Sequence, residues 1–192
     1  MKKIIVIVYD SKYGSNKELA EFAYNAIHEY KSIQPELIHV RDVNANWKKL
    51  SNASAILFGC PTFLGGVSAE FKKFMEASSI FFSDQKWKDK LASGFTCSGA
   101  ANGDKLTTLI QIFIFASQHG MQWVSMGLGT AGNVMDEDNP ENINRMGSWI
   151  GAMAQVKQNA TSDQRVGLAD RETTAHLARR MCELVLKQKD EN

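Results

Sequence analysis

The run Ile4-Ile5-Val6-Ile7-Val8 narrows the folds open to this chain more than any other stretch. Five consecutive β-branched residues offer no polar face to water. They therefore read as a strand covered on both sides, as in a parallel sheet packed between helices. An amphipathic helix is under way a few residues later, with Leu19, Phe22, Ala23 and Ile27 on one face. The connection between them, Ser11-Lys12-Tyr13-Gly14-Ser15-Asn16, is rich in hydroxyl and amide groups and holds one glycine. A strand that enters a helix through such a loop gathers free backbone N–H groups at the positive end of the helix dipole, where a phosphate is at home. Ser15 and Glu18 fit a capping box and place the helix start at the loop. The loop has neither G-x-x-x-x-G-K-[ST] nor G-x-G-x-x-G, so it suits a terminal monophosphate rather than a nucleoside triphosphate or a dinucleotide. Taken alone, the same residues equally suit an ordinary turn with a helix cap.

Further along, Glu36 to Val40 reads as a short strand and Ala53 to Cys60 as a strongly apolar one. The latter ends in Pro61-Thr62-Phe63-Leu64-Gly65-Gly66-Val67-Ser68, before a helix with Phe71, Phe74 and Met75 at helical spacing. Leu91 to Thr96 is the next strand, and its loop, Cys97-Ser98-Gly99-Ala100-Ala101-Asn102-Gly103-Asp104, again holds small residues and amides. A helix from Lys105 to Gln118 follows, stopped by His119-Gly120. Met121 to Ser125 is a fifth strand, and Asp170 is expected to cap a final helix with Leu177, Met181, Leu184 and Val185 inward. Alternating strands and helices with short connections mean a doubly wound parallel sheet. The expected fold is α/β, a flavodoxin-like three-layer sandwich whose five parallel strands run in the order 2-1-3-4-5, with helices on both faces. One domain over residues 1–192 is expected. The stretch 126–167 is too long for an ordinary connection, with a short strand expected around Ala152 to Val156.

Charge and cysteine usage exclude several functions. Lys plus Arg number 22 against 21 Asp plus Glu, a net charge of +1, so no nucleic-acid footprint is expected. The three cysteines, Cys60, Cys97 and Cys182, form no C-x-x-C, which argues against a disulfide framework, an iron–sulfur cluster or a metal site. Met1-Lys2-Lys3 leads straight into the first strand with no apolar leader, and no run is long enough to span a membrane. A cytoplasmic location is expected. Asn52-Ala53-Ser54 and Asn159-Ala160-Thr161 match the glycosylation pattern but carry no meaning in that compartment.

Three loops at the carboxyl edge of the sheet, in this order, resemble the flavodoxin-like FMN proteins. They are most similar to the WrbA-type NAD(P)H:quinone oxidoreductases and related FMN reductases. Ser11-x-Tyr13-Gly14 resembles the phosphate loop of that family, and Pro61-Thr62-x-x-Gly65-x-x-Ser68 its second flavin loop. Phe95-x-x-Ser98-Gly99 with Gly103 resembles the third, and His119-Gly120-Met121 the following helix end. The resemblance implies that Ser11, Tyr13, Gly14, Ser15 and Asn16 hold the FMN phosphate. It implies that Pro61, Thr62, Phe63, Leu64, Gly65 and Gly66 line one edge of the flavin ring, with Thr96, Cys97, Ser98, Gly99 and Gly103 closing the other. Phe82 stands where relatives carry a stacking Trp, and Phe63-Leu64 where they carry Arg and an aromatic. His119, the one candidate for a catalytic side chain, is expected near the flavin from a neighbouring turn or subunit.

The function so implied is an FMN-dependent oxidoreductase with NAD(P)H as co-substrate and a quinone or similar electron acceptor. The alternative is a non-enzymatic flavodoxin-type electron carrier. Carriers of that kind are strongly acidic, unlike this chain. A phosphoacceptor domain on the same fold is a third reading, for which Asp10 is the one carboxylate in place. Apolar residues also surround the Lys105 to Gln118 helix almost completely, which predicts a homodimer or homotetramer. On that reading, a glutamate at Phe115 breaks the contact.

Overall fold

The first apolar run forms β1, Lys3–Tyr9, and it lies inside the sheet with a neighbour on each edge. In this computed structural model, residues 2–131, 136–157 and 164–188 are described. The second glycosylation pattern, at 159–161, lies outside them. In chain order β1 leads to α1 (Ser15–His28), β2 (Ile33–His39), a 3-10 turn (Val40–Ala45), α2 (Trp47–Asn52) and β3 (Ala55–Gly59). Then come a small hairpin of β4 (Thr62–Phe63) and β5 (Gly66–Val67), α3 (Ala69–Ala77), α4 (Ser79–Phe82) and β6 (Leu91–Ser98). The chain continues with α5 (Lys105–Gln118), β7 (Gln122–Trp123), β8 (Ala152–Gln155) and α6 (Leu168–Lys187).

The main sheet is parallel throughout, in the order β2-β1-β3-β6 and then an outer position shared by two short strands. β7 pairs with the start of β6, at Leu91 and Ala92, while β8 pairs with its end, from Phe95 to Ser98. The expected order 2-1-3-4-5 is therefore present, with its fifth place built in two pieces. The strand expected at Met121 to Ser125 shortens to Gln122–Trp123, because the chain leaves the sheet there and returns only at Ala152.

Alternation along β1 explains why its run has no polar residue. Ile5, Ile7 and Tyr9 face α1 and α6, packing with Leu19, Ala23, Ile27, Leu177 and Met181. Val6 and Val8 face the other layer, with Leu50, Phe71, Phe74, Trp87 and Phe115. Each face removes a large apolar area from water, the dominant favourable contribution to folding.

Two expected caps differ. Gly14, not Ser15, is the N-cap of α1, in the left-handed region at φ 96°, and no side chain caps the helix. Glu18 turns its carboxylate instead toward the backbone N–H of Arg165, 3.1 Å away, and the Arg171 guanidinium at 3.2 Å. Asp170 lies inside the first turn of α6, whose N-cap is Gly167, and its carboxylate reaches across the chain to Arg145. In both places a long-range partner outcompetes the local N–H groups.

α5 is likewise two-sided. Leu109, Ile112, Phe115 and Ala116 are buried, while Leu106, Ile110, Phe113 and Ile114 are 38–51% exposed. Phe115 packs on Phe58, Phe74 and Trp87, so a charge there would disrupt the core rather than a subunit contact. Position 114 is the place to test assembly.

Candidate functional site

Three loops meet at the carboxyl ends of β1, β3 and β6, the edge at which open α/β sheets bind ligands. They enclose a cavity of about 240 Å³ lined by Ser11, Lys12, Tyr13, Ser15, Asn16, Pro61, Thr62, Phe63, Cys97, Ser98, Gly99, Val156 and Arg165. Ten of these thirteen are expected site residues, brought together from separate segments. Lys12, Val156 and Arg165 are additions. Among the described residues, two cations and no carboxylate line the cavity, so their field favours an anion.

The first loop is tied down by its own polar groups. Asn16 Nδ2 donates to Asp10 O at 2.8 Å, and Lys17 N–H donates to Ser11 Oγ at 3.0 Å. Glu18 N–H is taken by Gly14 O at 3.0 Å. The first-turn N–H groups of Ser15 and Asn16 have no carbonyl behind them in the helix and are the donors left at the cavity. A side chain at Gly14 would have open space, its nearest neighbour being Arg165 at 4.0 Å, but its backbone is one that L-residues rarely adopt.

The second loop is the hairpin, where a plain loop is expected from the sequence. Its tip, Leu64 and Gly65, has positive φ at both residues (49° and 77°), the geometry of a tight two-residue turn. Thr62 anchors it underneath: its hydroxyl lies 2.7 Å from that of Thr96 and donates to that of Thr108 at 2.8 Å. Gln111 accepts from Val67 N–H at 3.3 Å and fixes the outer strand on α5. Tyr13 and Phe63 stand edge to face at the cavity, 6.1 Å between ring centroids, and Lys12 lies over the Tyr13 ring. Leu64 is fully exposed, and Gly65 and Gly66 shape the turn without lining the cavity.

Lys105 holds the third loop and escapes notice in the sequence. Fully buried, its ammonium donates to Ser98 Oγ (3.1 Å), Ala100 O (2.7 Å) and Ala101 O (2.8 Å). Burial pushes its pKa down to about 8, while the three acceptors favour the charged form. Gly103 backs this loop, since a Cβ there would collide with Ser98 Oγ. Thr96 is buried below the cavity. Burial also pushes the Cys97 and Cys60 thiols up to about 12, which leaves neither as a nucleophile near neutral pH.

Phe82 and His119 are not brought to this cavity. They line a separate recess with Met75, Ser79, Phe115 and Gln118. His119 is 2% exposed, with its ring 4.4 Å from Trp87 and 4.9 Å from Phe115. Ser78 donates to Met75 O, so it accepts from His119 Nε2–H at 2.9 Å, and Nδ1 is left without a partner. Burial lowers the histidine's pKa from 6.5 to about 4. Between those values the unfolded chain binds a proton that the folded chain does not. Its stabilising contribution is thus complete above pH 6.5 and lost as pH falls toward 4, by about 3 kcal/mol in total. Urea unfolding of wild type and His119→Gln from pH 7 to pH 4 should show the gap between them narrowing by that order. A gap independent of pH would contradict the assignment.

Asp10 ends β1 beside this cavity but does not line it. Its carboxylate accepts from Ser68 Oγ at 2.5 Å and lies 3.6 Å from His39 Nε2. It is buried and committed, which leaves the phosphoacceptor reading without an available group. Among the described residues, no cluster of His, Cys, Asp or Glu could hold a metal ion, and no helix is long and apolar enough to cross a membrane.

Comparison with known proteins brings this geometry into a family context. The sequence model of the NADPH-dependent FMN reductases matches residues 2–134. A flavodoxin from Pseudomonas aeruginosa is 36% identical over 183 residues, covering 93% of this chain and 95% of its own. A quinone oxidoreductase from Triphysaria versicolor is 26% identical over 141 residues, covering 64% of this chain and 69% of its own. Among solved structures, a flavodoxin, WrbA-like protein from Agrobacterium tumefaciens superimposes with a TM-score of 0.76 at 31% identity, over 98% of this chain and 100% of that one.

Proposed function

The chain belongs to the NADPH-dependent FMN reductase family, and from that membership we propose that it is an FMN-dependent oxidoreductase, taking electrons from NAD(P)H and delivering them to a quinone or similar small acceptor. The observation that carries this reading is the cavity on which all three loops converge, lined among the described residues by two cations and no carboxylate, and by Ser15 and Asn16, whose first-turn N–H groups have no carbonyl behind them in the helix. Those donors fit the phosphate monoester of FMN. Tyr13, Pro61 and Phe63 offer apolar and aromatic surface to a flat ring, and Ser98 and Gly99 offer hydroxyl and backbone groups to its polar edge.

Bound FMN supplies the hydride-accepting chemistry, and the protein's residues bind and orient it. Lys105 keeps the Ser98–Ala101 loop in one shape, and the Thr62–Thr96–Thr108 hydroxyl chain does the same for the hairpin. With both nearby thiols protonated and Asp10 committed, no side chain among the described residues at the cavity is poised as a nucleophile or general base. Electron transfer needs neither.

The test is the absorption spectrum of the purified protein, then anaerobic addition of NADH and NADPH in turn. A yellow protein bleached by either nucleotide supports the reading. A protein that takes up no FMN on reconstitution refutes it. The second reading, an electron carrier, is favoured by the similarity to the Pseudomonas flavodoxin. A carrier would bind FMN but stay oxidised with both nucleotides until a separate reductase is added.

The exposed apolar side of α5, from Leu106 to Ile114, supports a homodimer or homotetramer. Light scattering of Ile114→Glu is expected to show a monomer that remains folded, where wild type is larger. A wild type that is monomeric at micromolar concentration would count against assembly.

A further inference from the structure

We propose that Arg165 is the cation that pairs with the phosphate of the bound flavin and makes the site select FMN over unphosphorylated riboflavin. This rests on the function just proposed. Arg165 lies well over a hundred residues from the first loop in sequence, yet it lines the same cavity as Ser11, Ser15 and Asn16. Its Cδ and Nε stand 4.0 Å from where a Cβ of Gly14 would be, so the side chain lies over the glycine at the head of α1.

The backbone is held there from both sides. Arg165 N–H donates to Glu18 Oε2 at 3.1 Å, Lys157 N–H donates to Arg165 O at 2.8 Å, and Val166 pairs with Val156 in an antiparallel bridge. The acid that fixes it therefore belongs to the helix whose N-terminus opens the site. Glu18 accepts from the Arg165 backbone rather than its guanidinium, and the acid's ion pair is with Arg171. Among the described residues the Arg165 guanidinium has no carboxylate partner.

A phosphate monoester near neutral pH carries close to two negative charges, and backbone N–H groups alone leave that charge incompletely balanced. A planar guanidinium beside the two free N–H groups supplies both charge and directed donors. Lys12 also lines the cavity, but its ammonium lies over the Tyr13 ring.

The experiment uses the full chain stripped of flavin and titrated with FMN and with riboflavin, following quenching of flavin fluorescence, for wild type, Arg165→Gln and Arg165→Lys. Loss of a charge-assisted contact should weaken FMN binding by about tenfold to a hundredfold in Arg165→Gln while riboflavin binding stays unchanged. Arg165→Lys should recover part of the loss, and the salt dependence of FMN binding should flatten in Arg165→Gln. FMN binding within twofold of wild type would overturn the assignment. An equal loss for both flavins would overturn it too, since that marks a distorted loop rather than a lost ion pair. A wild type that binds neither flavin would overturn the functional reading itself, along with this one.

Discussion

Asp170→Ala should cost the fold about 3–5 kcal/mol, the usual cost of removing one member of a buried ion pair. The carboxylate is fully buried in the first turn of α6 and takes a two-pronged contact from Arg145, Nε to Oδ1 at 2.7 Å and the terminal nitrogen to Oδ2 at 2.8 Å. Its Oδ2 also accepts from Gln155 N–H at 2.8 Å, which ties the helix to β8. Removing it takes two short contacts from a guanidinium that is 6% exposed, and the Glu137 carboxylate 3.3 Å away does not replace them. For a domain of this size the loss corresponds to a fall of roughly 6–20 °C in melting temperature. Flavin affinity should fall with it, because Gln155 adjoins the cavity residue Val156. Replacing both partners with apolar residues, as in Arg145→Met with Asp170→Leu, should restore much of the stability. A single-mutant loss below about 1 kcal/mol would mean the pair is exchanged for water at little cost.

Gly14→Val should weaken FMN binding by about tenfold to a hundredfold while leaving far-ultraviolet circular dichroism native. At φ 96° a β-branched residue is strained by about 1–3 kcal/mol, and the loop relieves that strain by rotating the peptides on either side. Those peptides carry the donors that serve the phosphate, so the strain is relieved at the expense of the site. Crowding within the protein is not the cause, since a methyl group placed on Gly14 would have only the flexible Arg165 side chain near it, at 4.0 Å. Gly14→Ala should be milder for the same reason. Equilibrium titration with FMN measures both, and a valine variant with wild-type affinity would place the phosphate elsewhere.

What could be read from the chain, and what could not, divides by the range of the interactions involved. The β1 strand, the three loops and the ends of α5 follow from local patterns: unbroken β-branched residues, small polar residues after each strand, and His119-Gly120 at a helix stop. Ten of the thirteen residues that line the cavity are among those the family resemblance implies. Arg165, Lys105 and the Arg145–Asp170 pair carry no local signal, since an isolated cation in a polar stretch looks solvated until its distant neighbours are known. The same limit explains Glu18 and Asp170, both assigned to helix caps from neighbouring residues and both drawn away by arginines. Phe115 shows the converse. A helix apolar on all sides announces that two faces are in use, but not which residue serves which, and Phe115 serves the core. Phe82 and His119 enter only through the family resemblance; within the chain His119 packs in the aromatic cluster around Trp87, and Phe82 stands half-exposed beside the His119 ring.

The outer place of the sheet, filled by β7 at one end of β6 and β8 at the other, gives the domain a seam. β8 is four residues long and has a strand neighbour on one side only, whereas β1 and β3 are clamped on both. Elements tethered in this way are where folded proteins open first, by fluctuations that leave the rest intact. Val156 N–H, bonded to Ser98 O at 2.9 Å, crosses this seam, and both residues belong to the cavity wall. Amide exchange should therefore be faster along Ala152–Val156 than along β1. Opening there would loosen the cavity wall at Ser98 and Val156 while leaving in place the first loop, which follows the doubly flanked β1.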